Sequence, residues 1–342
     1  IVMALRKKIP VKWLPILLAI LLIVDLWGVN RRFMRPQPQT TATSYFRATA
    51  DVQYLKKQEG QFRIFPVEDQ RSPNWYVYHG IQSAHGYQGA KLRLYQELID
   101  AFKMPNGFIQ KYVKIQEGRP VLRDTSEVDA RLVNFHGTFL KLMNVRYIIS
   151  PYPLPDTTLK IVFPPRVRGG NAVFEFKGAL PRVFFPGLVM TMNGKDNILN
   201  YMTSSGFDPA VTAVIEEDAP FQIAHSDSNQ AKITEYDLHR IVIDADVKAP
   251  SLLVVSEMYY PAGWKVFVDG IEEKIIKTNH AFRSVFLQPG THEIVFSFKP
   301  KIFRLGLLIS SITFLLLIAG TFLGWRMERK KPSVQEMTET GN

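Results

Sequence analysis

The chain has 342 residues, 46% hydrophobic and 21% charged, which gives room for one large or two modest domains around a sizeable core. Its net charge of +11 does not mark a nucleic-acid binder, because the excess lies at the ends and beside two apolar runs, while residues 36–298 hold 28 basic against 27 acidic residues. Cysteine is absent, which excludes disulfides, thiol catalysis and cysteine-ligated metals.

The chain opens on Ile1-Val2 rather than Met, and we expect the C-terminal piece of a longer protein. Residues 1–12 carry Arg6, Lys7, Lys8 and Lys12 and form a cytoplasmic flank to an apolar run over 13–29, expected to be a transmembrane helix. The segment from Asp25 to Arg32 offers no small-x-small cleavage site, so a retained helix is expected rather than a signal peptide. Asp25 lies near the outer end of this run, where it serves either as a structural cap or ion-pair partner or beside a lipid-linked phosphate. Arg31 and Arg32 follow it, suited to bidentate phosphate contact or to headgroup anchoring.

A polar, Pro-punctuated linker is expected over 30–44. An extracytoplasmic α+β subdomain is expected over 45–160, with helices at 50–58, 90–102 and 128–142 and strands at 61–67 and 145–149. From 161 to 300 the texture changes to short strands divided by Pro-Gly and Asp-Gly turns, beginning at 172–176 and ending at 292–298. That pattern predicts an antiparallel β-sandwich, with Trp264 as its buried anchor and Gly263 enabling the preceding turn. A second transmembrane helix is predicted over 303–325, then a cytoplasmic tail over 326–342 holding Arg326, Arg329, Lys330 and Lys331. The predicted fold class is thus a membrane-anchored α+β protein, two transmembrane helices flanking an α+β subdomain and a β-sandwich, with both termini cytoplasmic.

Candidate chemistry concentrates in the loop from Trp75 to Gly89. His79 and His85 are six apart with no third ligand nearby, so no metal and no cofactor are expected. Tyr76, Tyr78 and Tyr87, together with the two histidines, suit a polar, sugar-bearing ligand; the competing reading is an aromatic core that glues the loop in place. Glu216-Glu217-Asp218 and Glu272-Glu273 fit solvated turns, and neither a Gly-x-Ser-x-Gly elbow nor a phosphate-cradling glycine loop occurs. No catalytic residue is assigned.

The stretch Ser256-Glu-Met-Tyr-Tyr-Pro-Ala-Gly-Trp-Lys-Val-Phe-Val-Asp-Gly270, followed by Asn279-His-Ala-Phe-Arg283 and Leu287-Gln-Pro-Gly-Thr-His292, resembles the C-terminal pattern of the YfhO family of bacterial membrane proteins. So do Gly86-Tyr87, Tyr95-Gln-Glu97, Leu142-Met-Asn-Val-Arg-Tyr147, Pro181-Arg182 and Phe207-Asp-Pro209. The resemblance implies the outer part of a polytopic protein similar to GT-C glycosyltransferases, which move a sugar from a polyprenyl-phosphate donor onto a cell-envelope polymer. The partners it implies are membrane lipids, the donor, the polymer and upstream membrane helices of the same protein. A membrane-anchored binding or structural module without catalysis is the alternative.

Overall fold

The computed structural model describes residues 13–34, 38–67, 74–117, 119–166 and 170–329; the expected flank 1–12 and most of the tail 326–342 lie outside these. The chain divides between Gln53 and Tyr54 into two compact units.

In the first unit the apolar run forms a 20-residue helix, Leu14–Phe33, with a proline accommodated in its first turn and Arg31 and Arg32 in its last. Proline costs no hydrogen bond there, and terminal arginines complement the helix dipole. Ile16 through Val29 are exposed along the helix. The stretch 30–44 is not wholly extended: the first helix continues to Phe33, and Gln39–Tyr45 is helical, with the Thr43 hydroxyl donating to Gln39 O at 3.1 Å. Asn30 to Phe33 contain no breaker, so nothing stops the first helix at residue 29.

In the second unit, four strands form a mixed sheet: β1 (Arg63–Pro66), β4 (Val145–Ser150), β5 (Leu159–Phe163) and β6 (Ala172–Phe176), in the order β1-β4-β6-β5. Only β1 and β4 pair in parallel. A separate hairpin is made of β2 (Val113–Gln116) and β3 (Arg119–Leu122). The strand expected to open the sandwich, 172–176, is instead β6. Its Val173 and Phe174 register with Ile149 and Ile148, an apolar match across the pair. Helices Arg93–Ala101 and Ala130–Leu142 lie against this core, where Phe65, Phe102, Phe108, Phe139 and Phe174 are at most 2% exposed. The Asp129 carboxylate caps Ala130–Leu142 by accepting from Arg131 N at 2.8 Å.

The remaining strands are β7 (Val183–Phe184), β8 (Leu188–Thr191), β9 (Thr212–Ile215), β10 (Gln230–Tyr236), β11 (Arg240–Val247) and β12 (Ser251–Met258), then β13 (Trp264–Val268), β14 (Ile271–Glu273), β15 (Ile276–Thr278), β16 (Phe282–Leu287) and β17 (Gly290–Phe298). They form a five-stranded sheet, β10-β11-β17-β13-β14, and a six-stranded one, β7-β12-β16-β15-β9-β8. Ile241, Ile243, Ile294 and Phe296 of the first sheet pack on Leu253, Val255, Val285 and Leu287 of the second, which makes the pair a sandwich. It is not wholly antiparallel, because β8 and β9 run parallel. The core is continuous across the unit: Val214, Ala281 and Phe282 belong to the same apolar cluster as Phe65 and Phe139.

Trp264 is only partly buried, unlike the anchor expected from sequence. It is the first residue of β13, its ring 5.4 Å from that of Phe298 and 4.1 Å from the Arg283 guanidinium carbon. Gly263 is required by packing: a Cβ there would fall 2.2 Å from the Phe298 ring. Directly after β17, Lys301–Arg329 forms a 29-residue helix. Its segment Lys301–Met327 is long and apolar enough to cross a bilayer, about 40 Å at 1.5 Å per residue. Leu315, Leu316 and Leu317 are 63–67% exposed on successive faces, as an apolar solvent allows.

Candidate functional site

The loop singled out by sequence closes over the edge of the four-stranded sheet. After the short helix Trp75–Tyr78, the backbone at 82–84 runs beside β1: Ile64 N donates to Gln82 O at 2.9 Å and Ala84 N to Ile64 O at 2.8 Å. Asn74 then brackets the far side, its Nδ2 donating to Tyr87 O at 2.7 Å and its Oδ1 accepting from Tyr87 N at 3.0 Å. His85 N donates to Ser83 Oγ at 3.1 Å, and the Tyr95 hydroxyl donates to Ala84 O. The loop is therefore bonded to β1 at 82–84 and to Tyr95 of the following helix, and braced within itself by Asn74 and Ser83.

Between loop and sheet lies a cavity of about 520 Å³, within the usual range for ligand sites. His85, Tyr87 and Gln88 face it from the loop, Lys91 and Tyr95 from the following segment, and Arg63 from β1. No carboxylate lines it among the described residues. Burial, then the charge of Lys91, lowers the His85 pKa, so the imidazole is neutral at pH 7 and offers one donor and one acceptor. Burial pushes the Tyr95 phenol up to about 12 against the pull of Arg63, so it stays a donor. Tyr87 is 73% exposed and presents an open aromatic face at the rim.

The other expected residues are elsewhere. Tyr76 is buried, its ring 5.3 Å from that of Trp75 and its hydroxyl accepting from Asn171 Nδ2 at 3.3 Å. His79 packs edge-on against Trp75 at 4.4 Å, and Tyr78 points outward, 64% exposed. None of the three lines the cavity. Asp25, Arg31 and Arg32 are exposed on helix Leu14–Phe33, and no ion pair joins Asp25 to either arginine among the described residues. Sequence reasoning missed Arg63 and Lys91. Arg63 sat in an apolar stretch with only its alternation to say that it points inward.

Arg63 also ties the cavity floor to a buried ion cluster. It donates to Glu257 Oε1 at 3.0 Å and to Ser256 O at 2.8 Å. Glu257 further accepts from the Tyr236 hydroxyl at 2.6 Å and from Arg182, whose Nε donates to Asn144 Oδ1 at 2.8 Å and whose Nη2 donates to Gln82 Oε1 at 2.8 Å. Arg283 lies 4.0 Å from the second carboxylate oxygen and stacks on Trp264. Burial disfavours the Glu257 anion, but Arg63, Arg182 and Arg283 outweigh it and hold the carboxyl at about 2. His280 Nε2 pairs with Glu97 Oε2 at 2.9 Å close by in sequence to that cluster. Residues that carried the family resemblance, Asn144, Arg182, Glu257, Trp264 and Arg283, thus meet in one seam between sheet and sandwich.

Residues 212–310 match the model of the family described as bacterial membrane protein YfhO, a span from β9 through the first turns of the terminal helix. The resemblance read from the motifs of this stretch is borne out there. No curated protein and no solved structure matches the chain.

Proposed function

With the YfhO match as premise, we propose that this chain is the extracytoplasmic and final membrane-anchored part of a polytopic, GT-C-like glycosyltransferase acting on a cell-envelope polymer with a polyprenyl-phosphate sugar donor. In this reading, helix Leu14–Phe33 is a second span, Arg31 and Arg32 meet lipid phosphate at the outer surface, and upstream helices of the same protein supply the transfer chemistry. The part described here holds the polymer. What supports this most is the cavity beside His85: an exposed aromatic face at Tyr87, neutral donors and acceptors at His85 and Gln88, and a cation at Lys91, above an Arg63 already paired with Glu257. Such a lining suits a hydroxylated, negatively charged chain. Because no carboxylate lines the cavity among the described residues, the acid–base groups that glycosyl transfer requires are assigned to other parts of the protein.

The test is made in cells carrying the whole protein. Tyr87→Ala and His85→Ala are expected to abolish glycosylation of the envelope polymer while leaving the melting temperature within a few degrees. Undiminished glycosylation in both variants would refute the assignment. If glycosylation is absent even with the wild-type protein but purified protein still binds polymer through this cavity, the non-catalytic binding module is the correct reading.

A further inference from the structure

A second cavity, of about 500 Å³, opens among helix Asn106–Gln110, helix Ala130–Leu142 and the turn after helix Lys195–Met202, and shares no lining residue with the first. At its floor is His136, 1% exposed. Its Nδ1–H donates to Leu132 O at 3.0 Å, one helical turn back. A carbonyl can only accept, so this bond fixes the tautomer and leaves Nε2 as a lone pair. That nitrogen is buried and meets no hydrogen-bond donor among the described residues. Gly107 stands opposite it without a side chain: a Cβ there would sit 3.3 Å from Nε2 and 3.0 Å from Lys103 Cβ. Protonation does not relieve the orphaned atom, since burial and then the charge of Lys111 hold the imidazole down to about 4.

The walls carry the opposite preference. Lys103 and Arg131 are exposed at the mouth, and Lys111 is buried within, its ammonium 3.2 Å from Asp156 Oδ2. Asp156 itself does not line the cavity and is occupied by Tyr112 at 2.7 Å and by the Thr158 hydroxyl at 2.6 Å. No carboxylate lines the space among the described residues. The Thr203 and Ser204 hydroxyls already donate to carbonyls of their own helix, at 2.9 Å and 2.7 Å. The cavity therefore presents two exposed cations at its mouth, and a buried one already paired with Asp156, beside a deep acceptor without a donor. A neutral sugar leaves the cations unused, and a fully ionised phosphate leaves Nε2 unpaired.

We infer that this cavity binds a hydroxylated organic phosphate of sugar-phosphate size, with the phosphate on Arg131 and Lys103 and a hydroxyl donating to His136 Nε2. The inference is independent of the envelope-polymer reading of the first cavity.

Calorimetric titration of the full chain in detergent micelles, with glucose 6-phosphate, inorganic phosphate and glucose as probes, tests it. Glucose 6-phosphate should bind about tenfold more tightly than either of the others, as the loss of one charge-assisted or buried hydrogen bond implies. Arg131→Gln and His136→Phe should each weaken it about tenfold, and Gly107→Ala, whose methyl would crowd Nε2, should do the same. Tyr87→Ala, in the other cavity, should leave it unchanged. Since Arg131 is exposed, Arg131→Gln decides the question even if His136→Phe does not fold. Absence of saturable glucose 6-phosphate binding, equal affinity for inorganic phosphate, or indifference to Arg131→Gln would each overturn the inference.

Discussion

At the scale of single residues, the most consequential group is Glu257, one carboxylate serving three arginines. Replacing it by Gln strands those charges in a partly water-free seam, and we expect a loss on the order of 3–5 kcal/mol in a denaturant melt. The pH dependence has two windows. Glu257 is held at about 2, below its ordinary 4.5, so its contribution is complete above pH 4.5 and is lost as the pH falls toward 2. His136 is held at about 4, below its ordinary 6.5, so unfolding takes up a proton between these values and stability is lost as pH falls from 6.5 toward 4. Melting temperatures of the full chain between pH 7 and pH 2 should decline through both windows. The His136→Phe variant should decline less than wild type in the upper one, where His85 and His280, both also held below 6.5, still contribute, and a decline identical to wild type would contradict its assignment. Little of this was legible beforehand. Glu257 and Arg283 stood in the sequence as parts of a motif, and Asn144 and Arg182 as parts of others, but local spacing carries no information about which motifs meet across two sheets.

At the scale of elements, strands with alternating side chains and Pro-Gly or Asp-Gly turns were readable, as were the helices starting at Arg93 and Ala130. Strand β6 was readable as a strand over the same residues but not as to its sheet, because Ala-Val-Phe-Glu-Phe fits any half-buried sheet and only its partner, β4, decides the matter. The same limit misjudged Trp264: a Tyr-Pro-x-Gly-Trp turn predicts a packed ring but not how much of the ring reaches solvent. Half-covered by Arg283 and Phe298, it should cost about 2–3 kcal/mol on replacement by Ala, less than the 3–5 kcal/mol of a fully buried aromatic. Gly263→Ala should also be harmful, by roughly 1–3 kcal/mol, since the added methyl meets the Phe298 ring at 2.2 Å. A thermal melt of each variant beside wild type would show this, and unchanged midpoints would mean that Phe298 does not pack over the turn. Phe298 is also the last residue of β17, so this packing fixes where the sandwich ends and the chain to the terminal helix begins.

At the scale of the whole molecule, charge partition was the clearest message in the sequence. Basic residues gather beside the apolar runs, and the region between them is nearly neutral. The terminal helix bears out the second run as a candidate span, while the cavity beside His85 was foreseen only in its loop, since its other wall comes from β1. On our account a tag at Asn342 is protected in intact cells and a tag near Asp227 is accessible; an accessible C-terminus would contradict the proposed topology. The account's central claim is that the His85 cavity holds envelope polymer. The most direct test is to titrate the purified full chain in detergent with fragments of that polymer, comparing wild type with Tyr87→Ala and His85→Ala at matched melting temperatures. The account predicts saturable binding that weakens about tenfold or more in each variant. Equal binding by all three proteins, or none by the wild type, would contradict it.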